Sequence, residues 1–246
     1  MNWKKDLREK DDAVSPVIAL MLILAILATC MAVYTTTYVP GLKQQDEITH
    51  SGEVKLAFER FASDIDNVIA QGKPAVYTEV LELGGGDVPL SPTKSSGTVE
   101  INTTEIGTYK IGDGTEQKLN GIEISYLPSF TAWEKQGYVY ENGVVWIVKD
   151  DKITPAQLTL YEVKDGEDRE KEILAKWYPA SPTEGIVIPN FSVVEGKSEI
   201  TGTSAVKLRL NATLGGEINS LSATLTDSTP IEYTNARLLN IEVSVE

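Results

Sequence analysis

The chain has 246 residues, of which 41% are apolar, 24% charged and 7% aromatic, and its 36 acidic against 22 basic side chains give a formal net charge of −14. A balance of this sign and size repels a polyphosphate backbone, so no nucleic acid is expected as a partner. One Cys and one His in the whole chain exclude a disulfide framework, a Cys-rich zinc site and a pair of imidazoles for acid–base work, so no metal, cofactor or catalytic site is expected.

The charge is unevenly placed. In the first twelve residues Lys4, Lys5, Arg8 and Lys10 balance Asp6, Glu9, Asp11 and Asp12, so the whole −14 falls from Lys43 onward. Between these regions, thirty residues from Ala13 to Leu42 carry no charge, and Val17 to Val33 are almost wholly aliphatic. About twenty such residues, rising 1.5 Å each in a helix, cross the roughly 30 Å hydrocarbon core of a bilayer. The pattern predicts a membrane-crossing or filament-core helix over 14–39, with Pro16, Val17, Ile18, Leu20, Leu22, Ile23, Leu24, Ile26 and Leu27 as its membrane or assembly surface. The basic residues before it put the N-terminus in the cytoplasm and the main domain outside the cell.

Three processing fates compete for this segment. A secretory signal would be removed, but its apolar region runs about 7–15 residues, whereas this one continues through Met31, Ala32, Val33 and Tyr34. Leu27-Ala28-Thr29-Cys30 approaches a lipoprotein signal, yet Thr29 precedes the Cys and the chain stays apolar after it. Cys30 therefore reads as a small apolar filler. The third fate rests on Asp11-Asp12-Ala13-Val14-Ser15-Pro16-Val17-Ile18, a charged tail running abruptly into a long apolar helix.

This segment resembles the class III signal and N-terminal helix of archaeal type IV pilins and pilin-like surface proteins. Asp12 stands where Lys or Arg is usual in that family, and Ala19 where many members have Gly. The resemblance implies a cytoplasmic leader over 1–13, cut by a prepilin peptidase-like enzyme between Ala13 and Val14. It also implies a retained helix that anchors in the membrane and can pack among identical or related pilin subunits. The layout has a physical rationale of its own: Ser15 can cap a helix whose first residue is Pro16, and Asp11 and Asp12 favour the positive end of that helix.

Tyr34 and Tyr38, flanking Thr35-Thr36-Thr37, suit the outer membrane interface. Pro40-Gly41 predicts a break or kink. Helical periodicity then resumes over 42–71, where Val54, Phe58, Phe61, Ile65, Val68 and Ile69 form one apolar stripe. Gln71-Gly72-Lys73-Pro74 supplies its stop, a Gly cap followed by Pro.

From residue 74 to 246 the period changes to two. Thr98–Asn102, Gly121–Ser125, Ala205–Asn211 and Leu239–Glu246 each alternate apolar with polar, and Asn142-Gly143 between two β-prone runs predicts a type I′ hairpin. Gly84 to Gly97 reads as a long loop and Asp165 to Asp168 as a turn. The expected class is α+β: one long N-terminal helix, then a mainly antiparallel, β-sandwich-like extracellular domain.

Candidate chemistry is sparse. His50 has Glu47 and Glu53 at helical spacings, but with no second His or Cys to complete a metal site it reads as a solvated or interface residue. Gly196-Lys197-Ser198 is the tail of a phosphate loop with Phe191 where the first Gly belongs. Asp113 to Glu116, Asp150-Asp151 and Asp165 to Asp168 match no calcium-loop spacing. Glycosylation sequons begin at Asn102, Asn190 and Asn211, with Asn102 on the face of Glu100 and Asn211 on the face of Lys207 and Arg209. The function implied is a pilin-like structural or adhesive surface subunit without catalysis. The alternative is a membrane-anchored extracellular binding domain that does not polymerise.

Overall fold

The uncharged N-terminal run forms helix α1, Ser15–Val33, and the striped segment forms helix α2, Val39–Gln71. A π-helical turn, Tyr34–Tyr38, joins them, with the Val39 N–H bonded to the Tyr34 carbonyl five residues back. Of the break or kink expected at Pro40-Gly41, the break does not occur; the irregularity is this π turn, just before the proline. Pro40 sits at the start of α2, where it has no N–H to give, and the widened turn just before it absorbs the missing bond without ending the helix. The rod is continuous over Pro16–Gln71, 56 residues, which corresponds to about 84 Å at 1.5 Å per residue. Threonine hydroxyls bind carbonyls around the π turn: Thr36 Oγ1 donates to Ala32 O at 2.7 Å, and Thr35 Oγ1 to Met31 O at 3.0 Å. In an apolar helix such back-bonding keeps hydroxyls satisfied without water.

The α2 terminus is the one expected. Gly72 adopts the left-handed conformation (φ 57°, ψ 39°) and its N–H caps the Val68 carbonyl at 3.0 Å. The computed structural model describes residues 15–85, 88, 89, 91, 93–156, 177–179, 181–226 and 228–246. The leader over 1–13 and the turn expected at Asp165 to Asp168 lie outside them.

The strands are β1 (Ala75–Glu82), β2 (Ser96–Ile111), β3 (Gln117–Ser129), β4 (Gln136–Glu141), β5 (Val144–Lys149), β6 (Lys152–Pro155), β7 (Val187–Val193), β8 (Glu199–Gly202), β9 (Ala205–Leu225) and β10 (Ile231–Val245). All ten belong to one sheet with the path β6-β5-β4-β3-β2-β9-β10-β7, while β1 branches onto β9 and β8 onto β2. Among the described residues every strand pairing is antiparallel except β7 with β10. The sandwich-like character arises because this sheet bends back on itself. Strand β7, at the far end of the path, returns to β3, where the Asn190 Oδ1 accepts the Asn120 N–H at 3.0 Å. Helix α2 packs on β1, β4, β5 and β7, and its stripe of Val54, Phe58, Phe61, Ile65 and Val68 is buried in the common core.

The Asn-Gly hairpin forms as expected, with Asn142 at φ 43° and Gly143 at φ 104° between the paired residues Glu141 and Val144. Three strands run far beyond their alternating stretches: β2 has 16 residues, β9 has 21 and β10 has 15. Within β2, Asn102 to Glu105 are exposed on both faces yet stay paired with β3. Backbone pairing there continues where no face is buried, so no hydrophobic period marks it.

Candidate functional site

Two features stand out around the helical rod: a bare apolar stem and a polar collar where the rod enters the β domain. Every side chain from Pro16 to Val33 is exposed, including Ile23 at 55% and Leu27 at 57%. The expected surface residues Pro16, Val17, Ile18, Leu20, Leu22, Ile23, Leu24, Ile26 and Leu27 are distributed around α1 with no polar face opposing them. A helix apolar on all sides requires a hydrocarbon or protein environment on all sides. The structure therefore holds a helix long and apolar enough to cross a membrane. Ala13 and Val14 lie outside the described residues, and Cys30 is exposed on the stem.

The collar begins at Val39, the first buried residue of the rod. Above it Lys43, Glu47, His50 and Ser51 are all buried, with Glu47 at 0% exposure. Of the two readings of His50, solvated or interface, the structure places it at the interface of α2 with the sheet. The positions 43, 47, 50 and 51 continue the phase of the apolar stripe at 54, 58, 61, 65 and 68, so α2 presents them to the same β domain.

Each has a partner in the β domain, Lys43 and Glu47 in the connections between strands and His50 and Ser51 on β3 and β4. The Lys43 Nζ donates to Thr93 O at 2.8 Å and to Thr93 Oγ1 at 2.7 Å. Glu47 Oε1 accepts from Ser95 Oγ at 2.5 Å and from the Thr131 N–H at 3.0 Å, and Oε2 accepts from the Ala132 N–H at 2.8 Å. His50 Nε2 lies 3.0 Å from Tyr126 Oη, which donates its own proton to Leu83 O at 2.9 Å. Tyr126 Oη thus sits between the imidazole and the Leu83 carbonyl and links α2 to the end of β1. Ser51 Oγ and Tyr138 Oη are 2.9 Å apart, and Tyr138 also accepts from Gln136 Nε2 at 2.7 Å.

The ladder continues upward with apolar rungs. Phe58 packs on Tyr138, and Phe61 meets Tyr140 edge to face with ring centroids 6.4 Å apart. Tyr126 and Tyr138 are direct cross-strand partners on β3 and β4, which is how helix positions 50 and 51 find neighbouring hydroxyls. The polar half of the ladder thus ties α2 to the segment between β1 and β2 and to the turn between β3 and β4.

These contacts set the ionisation of the collar. Burial pushes the Glu47 carboxyl up, but the Ser95 hydroxyl and the backbone amides of Thr131, Ala132 and Trp133 outweigh it and leave the group below its ordinary value. For His50, burial disfavours the imidazolium and prevails over the attraction of Glu53, Asp46 and Glu82 and the bond to Leu83, so its pKa is lowered.

The sequons fall in different environments. Asn102 is exposed and its Nδ2 donates to Glu100 Oε1 at 2.9 Å. Asn211 is half-buried on β9 and its Nδ2 faces Glu242 Oε2 at 3.4 Å. Asn190 is half-buried on β7 with its amide oxygen engaged by Asn120. Among the described residues no group of three or more His, Cys, Asp or Glu side chains is placed to hold a metal. A groove of about 350 Å³ lies between α2 and β1 beside Leu56, Val80, Glu53 and Glu82, crossed by the Arg60–Glu79 ion pair at 3.5 Å.

Comparison with protein-family models, with curated proteins and with solved structures found no match for the chain.

Proposed function

We propose that the protein is a type IV pilin-like subunit of the cell surface, with a structural or adhesive role rather than a catalytic one. The observation that carries this is one continuous rod with two opposite halves: α1 exposes apolar side chains all round, while α2 is built into the β domain by its stripe and collar. A rod of this kind holds its ectodomain at a set distance from whatever buries the stem. Two environments would bury α1, a bilayer and a bundle of like helices, and a pilin passes from the first to the second. In this proposal the leader over 1–13 is cytoplasmic and is removed at Ala13-Val14, and the β domain lies outside the cell.

The groove beside Leu56 and Val80 favours a second possibility, an anchored ectodomain that binds a partner and never polymerises. Mass spectrometry of the mature N-terminus tests the first proposal. A chain starting at Val14 supports it; a chain starting at Cys30 with a lipid attached refutes it. Electron microscopy of surface filaments, with and without the protein, then separates a filament subunit from a static anchor.

A further inference from the structure

We propose that Asn102 is a site of N-linked glycosylation, and that of the three sequons, at Asn102, Asn190 and Asn211, it alone carries a glycan in the folded protein. The inference rests on the reading that places the β domain outside the cell, where asparagine-linked glycans are displayed.

Both the side chains and the backbone of this sequon are accessible. Asn102, Thr103 and Thr104 are all exposed, as is Glu105 after them. Side chains alternate along a strand, so the Asn102 amide and the Thr104 hydroxyl project from the same face of β2. Asn102 Nδ2 donates one hydrogen to the exposed Glu100 at 2.9 Å, and its second amide hydrogen remains for substitution. One edge of β2 pairs with β3 from Ser96 to Tyr109. The other edge is shared by β8, whose pairing stops at Glu100, and β9, whose pairing starts at Gly107. At the margins of that gap the Ile101 N–H donates to Ser198 O, and Ile106 O accepts the Thr226 N–H. Residues 102–105 lie between, with no strand on that edge among the described residues. A register shift between Glu105 and Gly107 also interrupts the pairing with β3 just beyond the sequon. A bulge bends its strand, and a segment paired on one edge gives up fewer hydrogen bonds when it leaves the sheet to enter a transferase.

The other two sequons are enclosed. Asn211 is half-buried on a strand paired along both edges, opposite Val76 of β1 and Glu242 of β10. Asn190 is half-buried, pairs with Asn240 of β10 and holds the Asn120 N–H through its amide oxygen, and Phe191 beside it is buried. A glycan attached to either before folding would have to displace these neighbours. At Asn102 it extends into solvent and covers the open edge of β2, which is otherwise available to pair with another chain. In the transfer, Asn102 Nδ2 bonds to the anomeric carbon of a glycan carried on a polyprenyl phosphate or pyrophosphate. The bond from that carbon to the phosphate oxygen breaks, the lipid phosphate leaves, and one amide proton passes to solvent.

The test uses protein purified from its own cells, digested and read by mass spectrometry with electron-transfer fragmentation, which leaves a sugar on the residue that bears it. The peptide containing Asn102 is expected to carry added sugar mass on that residue, and those containing Asn190 and Asn211 none. Asn102→Gln and Thr104→Ala should each abolish the added mass, whereas Thr104→Ser, which keeps a hydroxyl, should retain it. Asn190→Gln and Asn211→Gln should leave it unchanged. Thr104 is exposed, so Thr104→Ala carries the test alone if Asn102→Gln does not fold. An unmodified Asn102, or sugar on Asn190 or Asn211, would overturn the proposal. Protease treatment of intact cells tells that failure from failure of the surface reading. With Asn102 bare, β-domain peptides released from intact cells refute the glycan alone, and peptides released only after lysis refute the external placement as well.

Discussion

Removing the Glu47 carboxylate tests the collar most directly. In Glu47→Ala the Ser95 hydroxyl can rotate to another acceptor, but the Thr131 and Ala132 N–H groups lose the oxygens they meet at 3.0 and 2.8 Å. Hydrogen bonds to a charged group contribute about 1.5–3 kcal/mol each and an unsatisfied buried donor costs about 1–3 kcal/mol, so with the usual non-additivity the variant should lose about 3–5 kcal/mol. Glu47→Gln retains one acceptor oxygen but turns its NH₂ toward a donor, and should lose about half of that, roughly 1.5–3 kcal/mol. Urea denaturation of the full chain in micelles, followed by fluorescence of the buried Trp146 and Trp177, measures both, with a lower midpoint at unchanged slope. The sign with pH is fixed. Glu47 lies below its ordinary value of 4.5, so its contribution is complete above that value and is lost as pH falls through the lower folded value. The gap between wild type and Glu47→Ala should therefore hold at pH 7 and narrow below about pH 4.5. A cost under about 1 kcal/mol at pH 7, or a gap that does not narrow in acid, would refute the energetic role assigned to these bonds.

Phe61 is 1% exposed and packs on Tyr140, so Phe61→Ala should cost about 3–5 kcal/mol in the same denaturation experiment. Gly143 adopts φ 104°, and a Cβ there would stand 3.1 Å from Trp177; Gly143→Val should cost at least about 1–3 kcal/mol and lower the thermal midpoint followed by circular dichroism. Ile23→Lys or Leu27→Lys places a charge in the middle of the stem at about 2.5–3.5 kcal/mol on insertion scales, and should move the protein from the membrane pellet to the soluble fraction.

Much of the rod was legible along the chain. The uncharged run marks α1, the stripe from Val54 to Val68 marks the buried face of α2, and Gly72-Lys73-Pro74 marks its end, because each signal is local and repeats with the helix period. Asn142-Gly143 identified the β4–β5 turn for the same local reason. The break expected at Pro40 did not occur, since a π turn one step earlier accommodates the missing N–H. Strand β7 was missed because Pro189 interrupts its pattern; it is tolerated at the edge of the sheet. In β1 the half-buried face includes Glu79, which blurs the alternation.

The collar was readable only in part. Extending the stripe downward by helical steps from Val54 reaches His50, Glu47 and Lys43, so their shared face was available to sequence reasoning. Their burial was not, because a charged side chain is stable inside only when donors and acceptors come to meet it. Those partners, Tyr126, Ser95, Thr131 and Thr93, lie 48 to 84 residues away along the chain and share no period with the helix. Sequence by itself determined an apolar stem joined to an amphipathic helix and a β domain, because hydrophobic periodicity is written in neighbouring residues. Only the tertiary structure decided that the junction is a sealed network of polar contacts, because satisfaction of a buried polar group depends on residues that folding alone brings together.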